Sequence, residues 1–190
     1  MKDLHGKIII IVAPSGTGKS TLLKSIFEKF PTLQWSVSTT TRDKRDGEVE
    51  GQDYFFTDKA SFLDGVQSKE YLEWALVHGN YYGTSKKFMD DSLNRGDFVV
   101  CDLDVQGTDR VKEMYGDQAK AIFIEPPSLS ELKSRLKNRG TEAIEVIELR
   151  IKNAERELTR KSDFDYLVKN ENLEDALNDL GKVFSEILSI

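Results

Sequence analysis

The sequence predicts an α/β fold in which a largely parallel sheet is flanked by helices. Three apolar runs are typical of strands buried on both faces: Lys7–Val12, the stretch DFVVCDLD at 97–104 and the stretch AKAIFIEPP at 119–127. A helical pattern follows each run, and this alternation favours a parallel sheet. With 190 residues the chain can bury one good core, and neither a repeat nor a linker interrupts it, so we expect a single domain.

The first helix is predicted from Lys19 to Phe30. Apolar residues recur at helical spacing from Leu22 onwards, and Pro31 ends the pattern.

The alternation of apolar strands and helices is interrupted between residues 38 and 96. Short aromatic runs and the turn-like sequence His78-Gly79-Asn80 predict short antiparallel strands with a hairpin. We interpret this insertion as a small mixed α/β lobe that binds a substrate.

Helices dominate the second half of the chain. Ser128 and Glu131 form a capping-box pattern at the start of one helix. The charged segment 135–160 follows, and the last segment carries one apolar face from Leu173 to Leu188. The predicted apolar face of segment 135–160 consists of Ile144, Ile147, Ile151, Ala154 and Leu158. We expect a core of about 1–37, 97–134 and 161–190, with 135–160 as a helical lid.

Composition excludes several function classes. The formal net charge is -6, so a general affinity for nucleic acid or anionic membranes is not expected. The only cysteine, Cys101, lies in an apolar run and is predicted to be a core thiol, which fits a reducing compartment. The N-terminal apolar run is too short for a signal peptide or a membrane span, so we expect a cytoplasmic protein. The oligomeric state stays open.

The stretch IIIIVAPSGTGKST between Ile8 and Thr21 predicts a phosphate-binding loop. In such a loop, glycines let backbone N–H groups point at phosphate, a lysine reaches the β- and γ-phosphates, and the following hydroxyl binds Mg2+. Gly16, Gly18, Lys19 and Ser20 can do this, although the strict pattern has glycine where this chain has Ala13. Alanine fits if its φ is negative. We therefore expect a P-loop NTPase-type core that binds a nucleoside triphosphate with magnesium. The predicted ATP-binding residues are Ala13, Pro14, Ser15, Gly16, Thr17, Gly18, Lys19, Ser20 and Thr21.

Two arginines begin the insertion. Arg42 and Arg45, followed by Glu48 and Tyr54, suit a phosphate monoester, because guanidinium groups give bidentate hydrogen bonds to phosphate. A solvated turn with incidental ion pairs is the alternative.

Four spaced motifs resemble guanylate kinase, the family that phosphorylates GMP with ATP. The motifs are SVSTTTRDKRDGEVEGQDYFF at 36–56, YLEWALVHGNYYGTS at 71–85, VVCDLDVQG at 99–107 and RLKNRGTE at 135–142. The resemblance runs from Lys7 to the segment VKNENLEDAL at 168–177. It implies that the insertion is a GMP-binding lobe.

The resemblance also implies roles on the GMP side. Arg42, Arg45, Tyr54 and Tyr82 would hold the GMP phosphate, with Glu48 supporting the arginines. Ser38, Glu73 and Thr84 would read guanine, although many members carry serine where this chain has Thr84. Guanine offers two donors on one edge, which a carboxylate complements, whereas adenine would leave that carboxylate unpaired.

On the ATP side, Lys19 matches the lysine of the loop, and Asn170 falls in the segment near the adenine. Asp102 and Asp104 match an acidic pair, of which Asp102 would position Mg2+ with Ser20 and Asp104 could reach the substrate side. Arg135, Arg139 and Arg150 match lid arginines that would close over the transferring phosphoryl group. The predicted catalytic residues are therefore Lys19, Arg42, Arg135, Arg139 and Arg150.

Two other functions stay open at this point. The fold also serves as a non-catalytic module that binds phosphopeptides, and a kinase for another nucleoside monophosphate would share the loop. We expect ATP and GMP as the bound molecules, with dGMP as an alternative to GMP.

Overall fold

A computed structural model describes residues 6–77, 79–138 and 144–190 of the chain. His5, His78 and Arg139 lie outside these ranges. The described chain contains nine strands, which are β1 (Lys7–Val12), β2 (Gln34–Trp35), β3 (Thr39–Thr40), β4 (Phe55–Phe56), β5 (Tyr71–Val77), β6 (Asn80–Ser85), β7 (Phe98–Asp102), β8 (Ala119–Glu125) and β9 (Tyr166–Lys169). Its seven α-helices are α1 (Lys19–Lys29), α2 (Lys59–Gln67), α3 (Lys86–Arg95), α4 (Val105–Tyr115), α5 (Leu129–Asn138), α6 (Ile144–Thr159) and α7 (Leu173–Leu188).

The central sheet confirms the predicted α/β class. It has five strands in the order β2-β7-β1-β8-β9, and β2 pairs with β7, and β8 with β9, in parallel. The apolar runs of β1, β7 and β8 are almost completely buried, as expected for strands covered on both faces. Cys101 is buried within β7, as predicted. No helix of the described chain is long and apolar enough to cross a membrane.

The chain forms two compact units, and each is described by itself. The first comprises Met1–Ile10 and Leu33–Ala119, and the second comprises Ile11–Thr32 and Lys120–Ile190. The predicted division into core, lobe and lid stays a prediction.

A second sheet lies within the first unit and has the order β4-β3-β6-β5. Strands β5 and β6 pair antiparallel with Val77 opposite Asn80, which confirms the predicted hairpin. The expectation that all these short strands are antiparallel was wrong, because β3 and β4 pair in parallel. Residues 41–54 connect these two strands, and this connection is long enough for the chain to return in the same direction.

Helices of the first unit begin at polar caps. Asp58, Ser85 and Asp104 each accept a backbone N–H bond at the start of α2, α3 and α4 respectively. These caps set the residue at which each of the three helices begins.

In the second unit, α1 packs against α7, and α5 packs against α6. Leu132 and Leu136 of α5 form a small core with Ile147 and Ala154 of α6, and Ile151 packs against it. Three members of the predicted apolar face therefore cover α5, while the side chain of Ile144 lies outside the described part of the chain. The Ser128 hydroxyl caps α5 as predicted, but the Glu131 carboxylate accepts a hydrogen bond from Arg135.

Candidate nucleotide-binding sites

The phosphate-binding loop lies between β1 and α1, as the motif requires. Gly16 and Gly18 have φ of 91° and 93°, a region that glycine enters without strain. Among the described non-glycine residues, only Lys69 and Ser189 have a positive φ, so Ala13 meets the condition set from the sequence. The Thr17 hydroxyl donates a 2.6 Å hydrogen bond to the Pro14 carbonyl and closes the loop on itself.

Helix α1 begins at Lys19, directly after the loop. No described side chain caps its N-terminus, where Gly18 takes the cap position. Lys19 is half-buried, whereas Ser20 and Thr21 are exposed. Unbonded N–H groups and the helix dipole make such a terminus attractive to phosphate.

Asn170 supports this loop from the segment after β9. Its side-chain amide donates a 2.6 Å hydrogen bond to the Thr17 carbonyl, and its backbone N–H bonds to the Glu125 carbonyl. A Cβ on Gly18 would lie 2.8 Å from the amide nitrogen of Asn170, so only glycine fits there without displacing it. A contact with adenine stays a prediction, but the bond to the loop was not foreseen.

The predicted lid arginines differ in their surroundings. The Arg150 guanidinium on α6 donates to the Ser15 hydroxyl of the loop at 2.7 Å. Arg135 is instead paired with Glu131, one turn earlier on α5, at 3.0 Å and at the surface. Arg139 lies outside the described residues. Of the two predicted lid arginines that the structure describes, one therefore contacts the loop.

Arg42 is the centre of a cationic and aromatic cluster in the first unit. Its guanidinium bonds to Glu48 at 2.7 Å and lies 5.3 Å from the centroid of the Tyr54 ring. The Tyr54 and Tyr82 rings meet edge to face with centroids 5.9 Å apart. Phe56 adds a second ring 5.8 Å from the guanidinium, a partner that the sequence did not indicate. This cluster presents one cation and two phenols, which are three of the four groups predicted for the GMP phosphate.

Glu48 bonds to both Arg42 and Arg45. Besides Arg42, it accepts a 2.8 Å hydrogen bond from the backbone N–H of Arg45, whose side chain is exposed. Burial raises the pKa of Glu48, but the hydrogen bonds from Arg42 and Arg45 outweigh it, so the pKa is lowered overall. Burial and the charge of Asp102 raise the pKa of Tyr54 to about 12, so its phenol keeps its proton and can donate.

Glu73 and Thr84 form a buried pair on neighbouring strands. They are opposite each other in the β5–β6 register, and the Thr84 hydroxyl donates to Glu73 Oε1 at 2.7 Å. Only 6% of Glu73 is exposed, and burial raises the pKa of its carboxyl from 4.5 to about 7. Ser38 is half-buried just before β3, where its carbonyl accepts the Phe55 N–H.

The other carboxylate oxygen of Glu73 faces the first turn of α4. A Cβ on Gly107 would lie 2.7 Å from Glu73 Oε2 and 3.1 Å from Asp104 Oδ1. Glycine therefore lets the two carboxylates approach the same point of α4. Asp104 caps α4 through the Gly107 N–H at 2.7 Å, so it has a structural role beside the one predicted.

Arg110 is a member of this neighbourhood that the sequence did not reveal. Its guanidinium donates to the backbone carbonyl of Trp74, the residue after Glu73. No motif includes Arg110, and its partner is a main-chain atom, so no side-chain pattern could have indicated the contact.

The oxygen groups predicted to hold magnesium are Ser20 and Asp102. Asp102 ends β7, and Ser20 lies in the first turn of α1. Across residues 6–77, 79–138 and 144–190, no group of three or more His, Cys, Asp or Glu side chains could hold a metal.

Comparison with known proteins identifies the family. The family described as "Guanylate kinase" matches residues 5–187 of the chain. The chain belongs to the guanylate kinase family. A guanylate kinase of Wolinella succinogenes is 43% identical over 176 residues, covering 93% of this chain and 82% of that protein. One of Thermotoga maritima is also 43% identical, over 92% of this chain and 84% of its own length.

A solved structure agrees with the family. The crystal structure of guanylate kinase from Anaplasma phagocytophilum matches with a TM-score of 0.78 and 32% identity, covering 95% of this chain and 85% of that one. The resemblance inferred from the four motifs is confirmed by these matches. The roles of the individual residues stay predictions.

Proposed function

We propose that the chain transfers the γ-phosphoryl group of ATP to GMP, giving ADP and GDP. The observation that carries the choice of GMP is the buried Glu73–Thr84 pair. The guanine edge presents an N1–H and an amino group, and a carboxylate offers the two acceptors that they need. Adenine would leave a buried carboxylate without its partners, which costs about 1 to 3 kcal/mol or more.

The Arg42 cluster supports the same substrate, because it lies in the same unit as Glu73. We propose that Arg42, Tyr54 and Tyr82 bind the GMP phosphate, with Glu48 holding Arg42 in its rotamer. Arg45 is exposed and would complete the clamp on binding. No general base is needed, because the GMP phosphate is already an anion at neutral pH.

We propose that the loop of residues 13–21 binds the ATP phosphates. Gly16 and Gly18 have the backbone that turns N–H groups towards an anion, and Arg150 already contacts the loop through Ser15. Phosphoryl transfer needs mainly positioning and positive charge, which Lys19, Arg150 and the other predicted lid arginines supply.

We propose that Ser20 and Asp102 would hold magnesium, since hydroxyl and carboxylate oxygens are its preferred ligands. When bound, the ion neutralises the charge of the β- and γ-phosphates. A cytoplasmic location stays a prediction.

The test is ADP formation from ATP and magnesium with GMP, AMP, UMP or CMP offered in turn. We expect ADP only with GMP. Lys19→Met should stop turnover while GMP still binds, because Lys19 belongs to the loop and not to the GMP cluster. Glu73→Gln should instead weaken GMP binding. Equal turnover with AMP would refute the base assignment, and GMP binding without any transfer would favour the non-catalytic module.

A further inference from the structure

We propose that Arg110 is a positioning residue for base recognition, which holds the strand of Glu73 against α4 and supplies positive charge beside its carboxylate. This inference rests on the proposed function, because it assumes that Glu73 reads guanine. Arg110 belongs to none of the four sequence motifs that point to the family.

The first support is the contact that Arg110 makes. It lies one turn after Gly107 on α4, the helix that packs against β5. Its guanidinium donates to the Trp74 carbonyl, which directly follows Glu73 on β5. The contact therefore fixes the main chain of β5 next to the position where the Glu73 side chain begins.

The second support is the close packing at the start of α4. Glu73 Oε2 and Asp104 Oδ1 both approach Gly107, so the distance from β5 to α4 decides how far Glu73 lies from a second carboxylate. Arg110 also joins α4 to β5, so losing it would remove a polar contact between these two elements.

The third support is the charge around Glu73. Asp104 and Arg110 act on it from the α4 side, the neutral Thr84 hydroxyl from β6, and the buried Cys101 thiol lies on β7. Helices α2 and α3 also pack against β5 and carry charged residues, but among the described residues none of these shifts the pKa of Glu73. Burial and Asp104 raise the pKa of Glu73, whereas Thr84 and Arg110 lower it. Arg110 is thus the cation that favours the ionised form.

A carboxylate that receives the two guanine donors must be ionised, because a protonated carboxyl loses one acceptor. Through its charge, removal of Arg110 should therefore weaken GMP binding most at pH values below the pKa of Glu73, where the carboxyl must first lose its proton, and least at high pH. The effect should shrink as salt increases, since Arg110 is exposed and its charge is screened.

The experiment measures the dissociation constant of GMP by calorimetry, without ATP, for the wild type, Arg110→Met, Arg110→Lys and Arg95→Met. Arg95 is a matched control, because it is another exposed arginine of the same unit that bonds to Asp97 and Ser92. In Arg110→Met we expect a roughly three- to tenfold higher Kd at neutral pH, typical of a lost polar contact. The midpoint of its pH profile should move upwards.

Two further readouts separate positioning from general damage. Arg110→Lys should return the pH midpoint towards the wild type, since it restores the charge. With saturating GMP, kcat of Arg110→Met should stay within about twofold of the wild type, because no reacting atom is touched.

The inference is overturned if Arg110→Met binds GMP as the wild type does, or if Arg95→Met weakens binding equally. It is also overturned if the pH midpoint does not move or if Arg110→Lys fails to restore it. Because GMP binding is measured without turnover, a wild type that binds GMP but transfers no phosphate refutes only the proposed reaction. A wild type that does not bind GMP refutes both.

Discussion

Glu73 has an ionisable carboxyl in a place where charge is costly. Its pKa is raised from 4.5 to about 7 mainly by burial. A carboxyl whose pKa is raised on folding destabilises the folded state above that raised value, and the cost disappears below its unfolded value. A shift from 4.5 to about 7 corresponds to about 3 kcal/mol, which is a large fraction of a typical stability. Glu73→Gln removes this cost.

We therefore expect ligand-free Glu73→Gln to be more stable than the wild type at pH 8, by up to about 3 kcal/mol. The amide oxygen can still accept from Thr84, and the amide nitrogen would replace a negative charge beside Asp104. The advantage should fall as the pH decreases from 7 to 4.5, and should vanish below that. Urea unfolding should show a midpoint about 1 M higher at pH 8.

The control is Glu113→Gln, which replaces an exposed carboxylate on α4 of the same unit. It should change the urea midpoint little at either pH, as is usual for surface substitutions. If Glu73→Gln is no more stable than the wild type at pH 8, or if its advantage is the same at pH 4, the reasoning about a buried ionised carboxylate is refuted. The size of the stability difference between Glu73→Gln and the wild type tests the burial of Glu73 without any nucleotide.

Two other substitutions test the phosphate sites. Arg42→Ala should raise the Kd of GMP by roughly tenfold or more, since a charge-assisted contact to phosphate is lost; calorimetry with guanosine, which should be unaffected, is the control. Unchanged GMP affinity would contradict the clamp. Gly18→Ala should weaken ATP binding, because φ is 93° and the new Cβ would lie 2.8 Å from the Asn170 amide. We expect a loss of about 1 to 2 kcal/mol from the backbone alone, and equal ATP affinity in titrations would contradict the conformation described for the loop.

Local chemistry explains why the phosphate-binding loop could be predicted. Its glycines, lysine and hydroxyl lie next to one another in sequence. The loop can therefore be recognised from the motif together with the strand before it and the helix after it. The hairpin was predictable for the same reason, since its turn residues lie between two alternating runs. Ala13 departs from the strict motif, and its negative φ shows that alanine fits the backbone at that position.

Contacts between distant segments could not be predicted in the same way. Asn170 bonds to Thr17 across 153 residues, and Arg110 bonds to Trp74 across 36, both through backbone carbonyls. A main-chain acceptor exists at every residue, so it leaves no signal in the sequence. Only the family motif indicated that Glu73 and Thr84 belong to one site. Many alternating strands carry exposed glutamates, so the local pattern alone would not have singled out Glu73.

The direction of short strands was the weakest part of the fold prediction. Strands β3 and β4 have two residues each, too few for a pattern that distinguishes parallel from antiparallel pairing. The connection between them also contains Arg42 and Glu48, which form an ion pair.

Burial of Cys101 has a practical consequence for experiments on this chain. The thiol is 1% exposed, and burial raises its pKa well above the usual value, so almost no reactive thiolate forms in the folded protein. A maleimide should therefore react with Cys101 only when β7 opens, and the labelling rate then reports how often the central sheet unfolds. Conversely, one cysteine introduced at an exposed position can carry a fluorophore without removing the natural one.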